Sequence, residues 1–424
     1  MLIKKLTLTN FRAYIQAEFD FQAGLNLLVG INGVGKTSVL DALRICLSII
    51  YPEISKTKQR KESFKETDIK IGSTSLQMSC DFSHLGVDYN LLIVKRKENI
   101  IENKTTNIRE QVIDVPDQEI ITPKIDIGDK NYSNSGNDPI GVFFSTKRSL
   151  VEDTKVSKTV AQAGQAAAHA EALSENRVLN LRLFTDWYRA QKALSIEDVQ
   201  IGNNLTAIQS VVESFLPGFH NLRAEENDGK FQLWIDKNGI PLTIYQLSDG
   251  ERGMLAVAID IARRLVLANP VSENPVKSGD GIVFIDELDL HLHPKWQRSI
   301  AYNLVRIFPN CQFIATTHSP QIIPSLAPEK IQFIDNDRVF NPERSLGVDT
   351  NWILKYLMDT NDRPAWANEA ITKIEDLINE GDFEEARRLM TDYKNREVDL
   401  PEWASLEARI ARLEIIEEDD EEDK

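Results

Sequence analysis

Short stretches of this chain carry side chains whose type and spacing suit chemistry on phosphates. Gly30-Ile31-Asn32-Gly33-Val34-Gly35-Lys36-Thr37 joins an apolar run, "GLNLLV", to the helically spaced "KTSVLDALRICLSII". The spacing is G-x-x-x-x-G-K-[ST] in the strand-to-helix setting that a phosphate loop needs. Gly30, Gly33 and Gly35 let the backbone curl so that its N–H groups point inward, and Asn32 and Val34 contribute backbone alone. The helix N-terminus adds partial positive charge. Lys36 is placed to meet β- and γ-phosphates, Thr37 to ligate Mg²⁺, and Ser38 follows on the same turn of the nucleotide site.

In "GIVFIDELDL" an apolar run delivers Asp286 and Glu287 to a strand end, where two carboxylates are costly to desolvate unless they act. Asp286 is expected to hold Mg²⁺ through water, and Glu287 to orient and deprotonate an attacking water. "LSDGERGMLAVAIDIARR" places the turn Ser248-Asp249-Gly250-Glu251 at the start of a long helix, a second anion-binding N-terminus or, read alone, a helix cap. "FIATTHSPQIIPSL" sets His318 after an apolar strand. His291 and His293 supply two potential ligands, too few for a metal site, and read as a structural turn.

The elements that must position these residues alternate strand and helix, which argues for a mostly parallel sheet. "SLQMSCDF" and "YNLLIVKRKE" suggest an antiparallel set beside the first strand, "LIKKLTLTNF", and "PIGVFFSTKR" a further apolar strand. Residues 101–138, rich in Asn, Asp, Thr and Ser, read as a poorly ordered excursion. "LRLFTDWYRAQKAL" and "NNLTAIQSVVESFL" are helical, and strands return at "LRAEE" and "KFQLWID". "EAITKIEDLINEGDFEEARRLMTDY" reads as a helical hairpin turning at Gly381-Asp382, with a third helix after Pro401. Five segments follow: residues 1–149 and 221–344 as two halves of one head, 150–220 as a helical insertion, 345–416 as a helical partner or oligomerisation domain, and 417–424 as an acidic tail.

The net charge of −16 is unevenly spread. Residues 341–424 hold 24 acidic and 11 basic side chains, against 41 and 38 before them. The acidity therefore belongs to the C-terminal end, and "EEDDEED" (Glu417 to Asp423) reads as a solvated run. Lys56, Lys58, Arg60, Lys61, Lys65 and Lys70 could meet nucleic-acid phosphates or form a solvated loop. No stretch approaches the roughly 18 apolar residues of a membrane span, so no membrane partner is expected. Cys46, Cys80 and Cys311 are well separated in apolar surroundings, which fits free thiols in a reducing cytoplasm.

"LSDGE" resembles the L-S-G-G-[EQ] signature of ABC-type ATPases, with Asp249 where that family usually has glycine, as in its recombination and SMC-type branch. The resemblance implies that Ser248 and the Gly250 N–H cap the γ-phosphate of ATP held by a second chain, in a head-to-tail dimer. It implies too that His318 is the switch histidine, that Asp289 lies in the loop along the dimer interface, and that Arg12 in "LTLTNFRAY" lies near the nucleotide. Where the family has a Gln that senses Mg²⁺ and water, "FFSTKR" offers Ser145 and Thr146, or Lys147 and Arg148 in its place. The implied fold is an α/β head with a mostly parallel core sheet, an antiparallel β lobe, a helical insertion and an all-helical appendage.

"IDELDLHLHPKWQ" is typical of overcoming-lysogenization-defect (OLD) ATPases and their relatives. Within that group, "PIGVFFSTKR", "LRLFTDWYRAQ", the signature and the C-terminal "SLGVDTNWILKYLM" and "INEGDFEEARRLM" together make the chain resemble the PtuA-type ATPases of Septu and retron antiphage systems. That resemblance implies ATP and Mg²⁺ as cofactors and a small HNH nuclease, PtuB-like, as partner. A retron reverse transcriptase with its msDNA, and nucleic acid generally, are further partners it allows. Two alternatives stand beside it: a RecF- or SMC-like repair ATPase that clamps DNA when ATP-bound, and an OLD-like nuclease. The second is disfavoured because only helices follow "IQFIDNDRVF", leaving no room for a Toprim domain. Asp335 and Asp337 then read as a polar turn, and any cleavage belongs to a partner.

Overall fold

A computed structural model describes residues 1–55, 57, 61–97, 118–121, 138–149, 151–152, 164–175, 177, 179–227, 229–335, 338–360, 363–396, 398 and 400–422. They divide into two units, Met1–Ile353 and Leu354–Lys424.

The first unit is built on a six-stranded sheet. Its order is Arg338–Phe340, Ile331–Asp335, Leu25–Val29, Cys311–Thr317, Gly281–Ile285, Ile140–Phe144. All neighbours run parallel except the first pair, which is an antiparallel hairpin. Leu25–Val29, Gly281–Ile285, Ile140–Phe144 and Cys311–Thr317 are buried along their whole lengths, as parallel strands covered on both faces must be. The polar exception in the first, Asn26, is satisfied: its amide donates to the Gln22 and Phe313 carbonyls and accepts from the Gln22 N–H.

An antiparallel sheet lies beside it in the order Tyr14–Asp20, Leu2–Phe11, Ser75–His84, Val87–Arg96, Gln118–Ile121. Strand Leu2–Phe11 is tied to the parallel sheet through Gln312, whose amide donates to Ile3 O and accepts from Ile3 N–H, both at 2.8 Å. Helix Lys36–Ile54 sits between the two sheets. It is buried on nearly every side, so one core runs from Leu6 and Phe19 through Leu43 and Leu47 to Ile282 and Phe284. The three cysteines are buried and free.

Gln118–Ile121 was not expected, because "QEII" lies inside the polar stretch 101–138. Those four residues pair with Val87–Arg96 and extend the sheet. The rest of that stretch lies outside the described residues, apart from Asp138. The helical region expected from residue 150 contains helices Gln165–His169, Leu181–Leu194 and Val199–Phe215, and a two-residue parallel pairing of Val151–Glu152 with Leu179–Asn180. A third sheet, Phe219–Asn227, Lys230–Lys237 and Ile240–Thr243, leads into helix Asp249–Ala268.

The second unit is a bundle of helices Ala365–Asn379, Phe383–Asn395 and Glu402–Glu422. The hairpin turns where expected: Gly381 takes φ +81°, a left-handed value glycine adopts without strain, and the Asp382 carboxylate caps the next helix at the Glu385 N–H, 3.1 Å. Ile374, Ile378, Met390, Trp403, Leu406 and Ile410 form its own core. Its last helix continues through the acidic run as far as Glu422. Among the described residues no helix is long and apolar enough to cross a membrane.

Candidate active site

The parallel strands end together, and their C-terminal edges gather four sequence-distant pieces, as expected where ligands bind open α/β sheets. The phosphate loop leaves Val29 and enters helix Lys36–Ile54. A Cβ at Gly30 would lie 2.5 Å from Ile334 O, so the loop can pass strand Ile331–Asp335 only without a side chain there. Gly35 caps the helix at φ +101°, and a Cβ would meet the Tyr14 ring and hydroxyl at about 3 Å. Asn32 and Gly33 are exposed at the tip.

Lys36 is buried, and its ammonium donates to Gly30 O at 2.9 Å and Ile31 O at 2.8 Å. Burial lowers its pKa to about 8 against the opposing pull of Asp286, Glu287 and Asp289. The ammonium thus ties the loop back on itself through two of its own carbonyls.

Thr37 Oγ1 lies 3.1 Å from both carboxylate oxygens of Asp286. A hydroxyl and a carboxylate at one point are the oxygen donors that Mg²⁺ prefers, and these two residues fit the ion. Asp286 begins where strand Gly281–Ile285 ends, and its N–H donates to Phe144 O at 2.8 Å. That contact puts Ser145, one of the residues offered where the glutamine was expected, at the neighbouring strand end. The Arg148 side chain lies outside the described side chains.

Glu287 adopts φ +50°, a left-handed conformation that a non-glycine residue takes only at an energetic cost. Thr316 supports it. The Thr316 hydroxyl accepts from the Glu287 N–H at 2.7 Å and donates to Asp286 Oδ1 at 2.7 Å, and its carbonyl accepts from the Leu288 N–H at 2.8 Å. Thr317 next to it donates to Asp289 at 2.6 Å, and the His318 N–H reaches the same carboxylate oxygen at 3.3 Å. His318 is half-buried, and burial followed by the Lys36 charge lowers its pKa, keeping the imidazole neutral near pH 7.

Sequence reading missed both threonines and Gln297. Gln297 joins the loop after Glu287 to the histidine segment, donating to Leu292 O and accepting from Ser319 Oγ. The signal was there in "ATTH" and "KWQ", but nothing local marks these residues as bridges. His293 caps helix Pro294–Ile307 through the Lys295 N–H, as expected of a structural turn.

Arg12, also at positive φ (+47°), is anchored by Asp41 at 2.7 Å and Asp68 at 2.9 Å, with Ser38 Oγ 3.3 Å away. The structure thus gathers Gly30 to Ser38, Arg12, Asp286, Glu287, Asp289 and His318 on one edge. It does not bring the signature turn to them. Ser248 and Asp249 are exposed, and among the described residues no hydrogen bond joins either to the phosphate loop. Ser248 and Glu251 form a capping box, Glu251 also pairs with Lys237 at 2.6 Å, and Asp249 pairs with Arg252. Gly250 is buried: a Cβ there would sit 2.3 Å from His291 O.

A family model described as "AAA domain" matches residues 5–198, and one described as "AAA domain, putative AbiEii toxin, Type IV TA system" matches residues 157–323. Together they span every piece of the site. Both descriptions name an AAA domain, and the chain is similar to proteins named as ATPases. It is 28% identical to the Retron Ec83 probable ATPase of Escherichia coli, over 85% of this chain and 77% of that one. It is 25% identical to the Retron Vc95 probable ATPase of Vibrio cholerae, over 89% and 84%. It is 23% identical to the Septu protein PtuA of Bacillus thuringiensis, over 77% and 74%.

Thr316→Val tests the missed support within the site. The swap keeps the volume but leaves the Glu287 N–H and an Asp286 oxygen each short of a partner, at about 1–3 kcal/mol per buried group. Denaturant unfolding should show that loss, and ATP turnover should fall about tenfold or more as Glu287 shifts. Thr316→Ser should restore both.

Proposed function

We propose that the chain is a cytoplasmic, ATP-hydrolysing regulatory subunit of an antiphage defence complex. Two copies close head to tail over ATP and Mg²⁺, and the ATP state restrains or releases a small HNH nuclease. The observation that carries the dimer is the exposure of Ser248 and Asp249 at the amino end of a 20-residue helix, with Gly250 and Glu251 packed behind them. An N-terminus whose first donors face outward can serve the phosphates of a second copy. The similarity to retron ATPases and to Septu PtuA supports the defence setting.

In this reading Lys36 gives up the Gly30 and Ile31 carbonyls for the β- and γ-phosphates. Thr37 and Asp286 hold Mg²⁺, which when bound neutralises phosphate charge. Glu287 takes the proton of the attacking water, neutral His318 donates toward the γ-phosphate, and Arg12 flanks the nucleotide. Asp289 sets the interface loop against His318.

The DNA-clamp alternative leans on the basic segment. Of its cations, Lys61 pairs with Glu53 at 2.8 Å and Lys70 donates to Ala13 O at 2.5 Å. Lys56, Lys58 and Arg60 lie outside the described residues. In this reading the nuclease partner docks on the second unit, which presents Tyr356 and Trp366 to solvent, 61% and 49% exposed. Tagged chain co-expressed with a PtuB-type HNH protein should retain that protein, and a Tyr356→Ala, Trp366→Ala double variant should lose most of it while still binding ATP. Equal capture by the variant would move the docking surface elsewhere, and no capture by either would sink the nuclease-control reading.

A further inference from the structure

Behind the signature turn, helix Asp249–Ala268 carries a buried cluster of charges that the ATPase site does not use. Asp260 accepts from Arg177 Nη1 at 2.8 Å and Arg264 Nε at 2.9 Å, and these two guanidiniums hold its carboxyl far below the usual range despite its burial. The rest of Arg264 donates to the Ala168 and Ala170 carbonyls, and Arg177 to Phe143 O. Arg263 is the surplus cation. It is 3% exposed, yet its Nε and Nη2 have no hydrogen-bond partner among the described residues. Its guanidinium stands over the Trp187 ring at 5.5 Å, and the Trp187 indole N–H is buried without a partner as well.

Three guanidiniums thus face one carboxylate. Burial and the neighbouring Arg264 charge bring the Arg263 pKa down to about 10 against the pull of Asp260, so it stays protonated at neutral pH with only that shared carboxylate to offset it. Such a surplus of buried positive charge is costly unless a further counter-charge reaches it. A path is present. Arg263 lines a small cavity with Asp260, Ala256 and Ile259 on its own helix, and with Asn180 and Leu183 at the amino end of the 14-residue helix Leu181–Leu194. Nε and Nη2 form the edge of guanidinium that grips an oxyanion bidentately, and a helix N-terminus favours the same charge.

We propose that Arg263 and the amino end of helix Leu181–Leu194 form a second anion site, separate from the phosphate loop, that takes one edge of a phosphate group. The phosphate is either free or the terminal group of a larger molecule. Because Arg263 lies on the helix that begins at Ser248, an occupant there would brace the element that presents the signature turn.

The test is thermal unfolding of the full chain in inorganic phosphate against chloride at equal ionic strength. Lys36→Ala serves as background to disable the phosphate loop. A phosphate-dependent rise of about 2 °C is expected there. Arg263→Leu should abolish the rise and, having removed an unpaired buried charge, be no less stable in chloride. Leu183→Glu, which puts a carboxylate at the cavity mouth and leaves Arg263 in place, should abolish it too. Retention of the rise in both variants, or its absence in the Lys36→Ala background, overturns the proposal. A deoxynucleoside 5′-monophosphate distinguishes the sources: stabilisation equal to that of phosphate points to a larger donor molecule, and none points to the free ion.

Discussion

A Glu287→Gln chain should bind ATP as the unaltered chain does and hydrolyse it slower by a factor of about 10² or more, the usual worth of a positioned base. The expectation rests on what the substitution leaves alone. The amide has the shape of the carboxylate, and the link from the residue to Thr316 is made by the backbone N–H, at 2.7 Å, so strand end and turn keep their form. The ligands assigned to Mg²⁺, Thr37 and Asp286, are untouched. What disappears is a group that can accept a proton from water. The conformation of Glu287 points the same way: φ +50° for a residue with a long side chain is maintained against its cost by Thr316 and the neighbouring strand. A turn held in that state aims its side chain for a reason. Binding of a fluorescent ATP analogue and steady-state phosphate release measure the two halves of the expectation. Hydrolysis at the unaltered rate would remove Glu287 as base, and lost ATP binding would make it a structural residue.

The parts of this site that could be read from sequence are those in which chemistry and local structure share one stretch of chain. A buried strand, a glycine turn and a lysine at the mouth of a helix announce themselves together in residues 25–54, and "GIVFIDE" does so for the carboxylates. The supports could not be read this way. Thr316 acts on Asp286 and Glu287 from 30 and 29 positions away, Asp68 holds Arg12 from 56, and Tyr14 matters to Gly35 only through ring packing across the antiparallel lobe. Each is an ordinary residue until the sheet brings it to its neighbour. Gln118–Ile121 was hidden for a related reason: its residues are half polar, and pairing with Val87–Arg96, a tertiary gain, sets them in the sheet. Arg263 and Arg264 read only as part of a long helix, because helical spacing alone says nothing of which cation finds a carboxylate.

Mixing two inactive chains should restore activity. Lys36→Ala removes the ammonium from the phosphate loop, and Ser248→Arg places a bulky cation at the exposed start of helix Asp249–Ala268. In a head-to-tail dimer each site draws its loop from one copy and its capping serine from the other. Either variant alone then has two damaged sites per dimer. A mixed dimer has one site with both defects and one with neither, so at equal proportions half the dimers carry a sound site, and turnover should recover to roughly a quarter of the unaltered level if sites act independently and pairing is random. The geometry makes Ser248→Arg a clean probe. Position 248 is exposed, and the helix behind it is fixed by Gly250 against His291 O and by the Glu251 pair with Lys237, so the new side chain extends into solvent without disturbing its own fold. Loss of the Ser248 cap costs the helix about 1 kcal/mol, too little to unfold the head. If the mixture stays as inactive as its components while both variants remain folded, each site is complete within one copy, and the outward-facing signature turn serves something other than ATP.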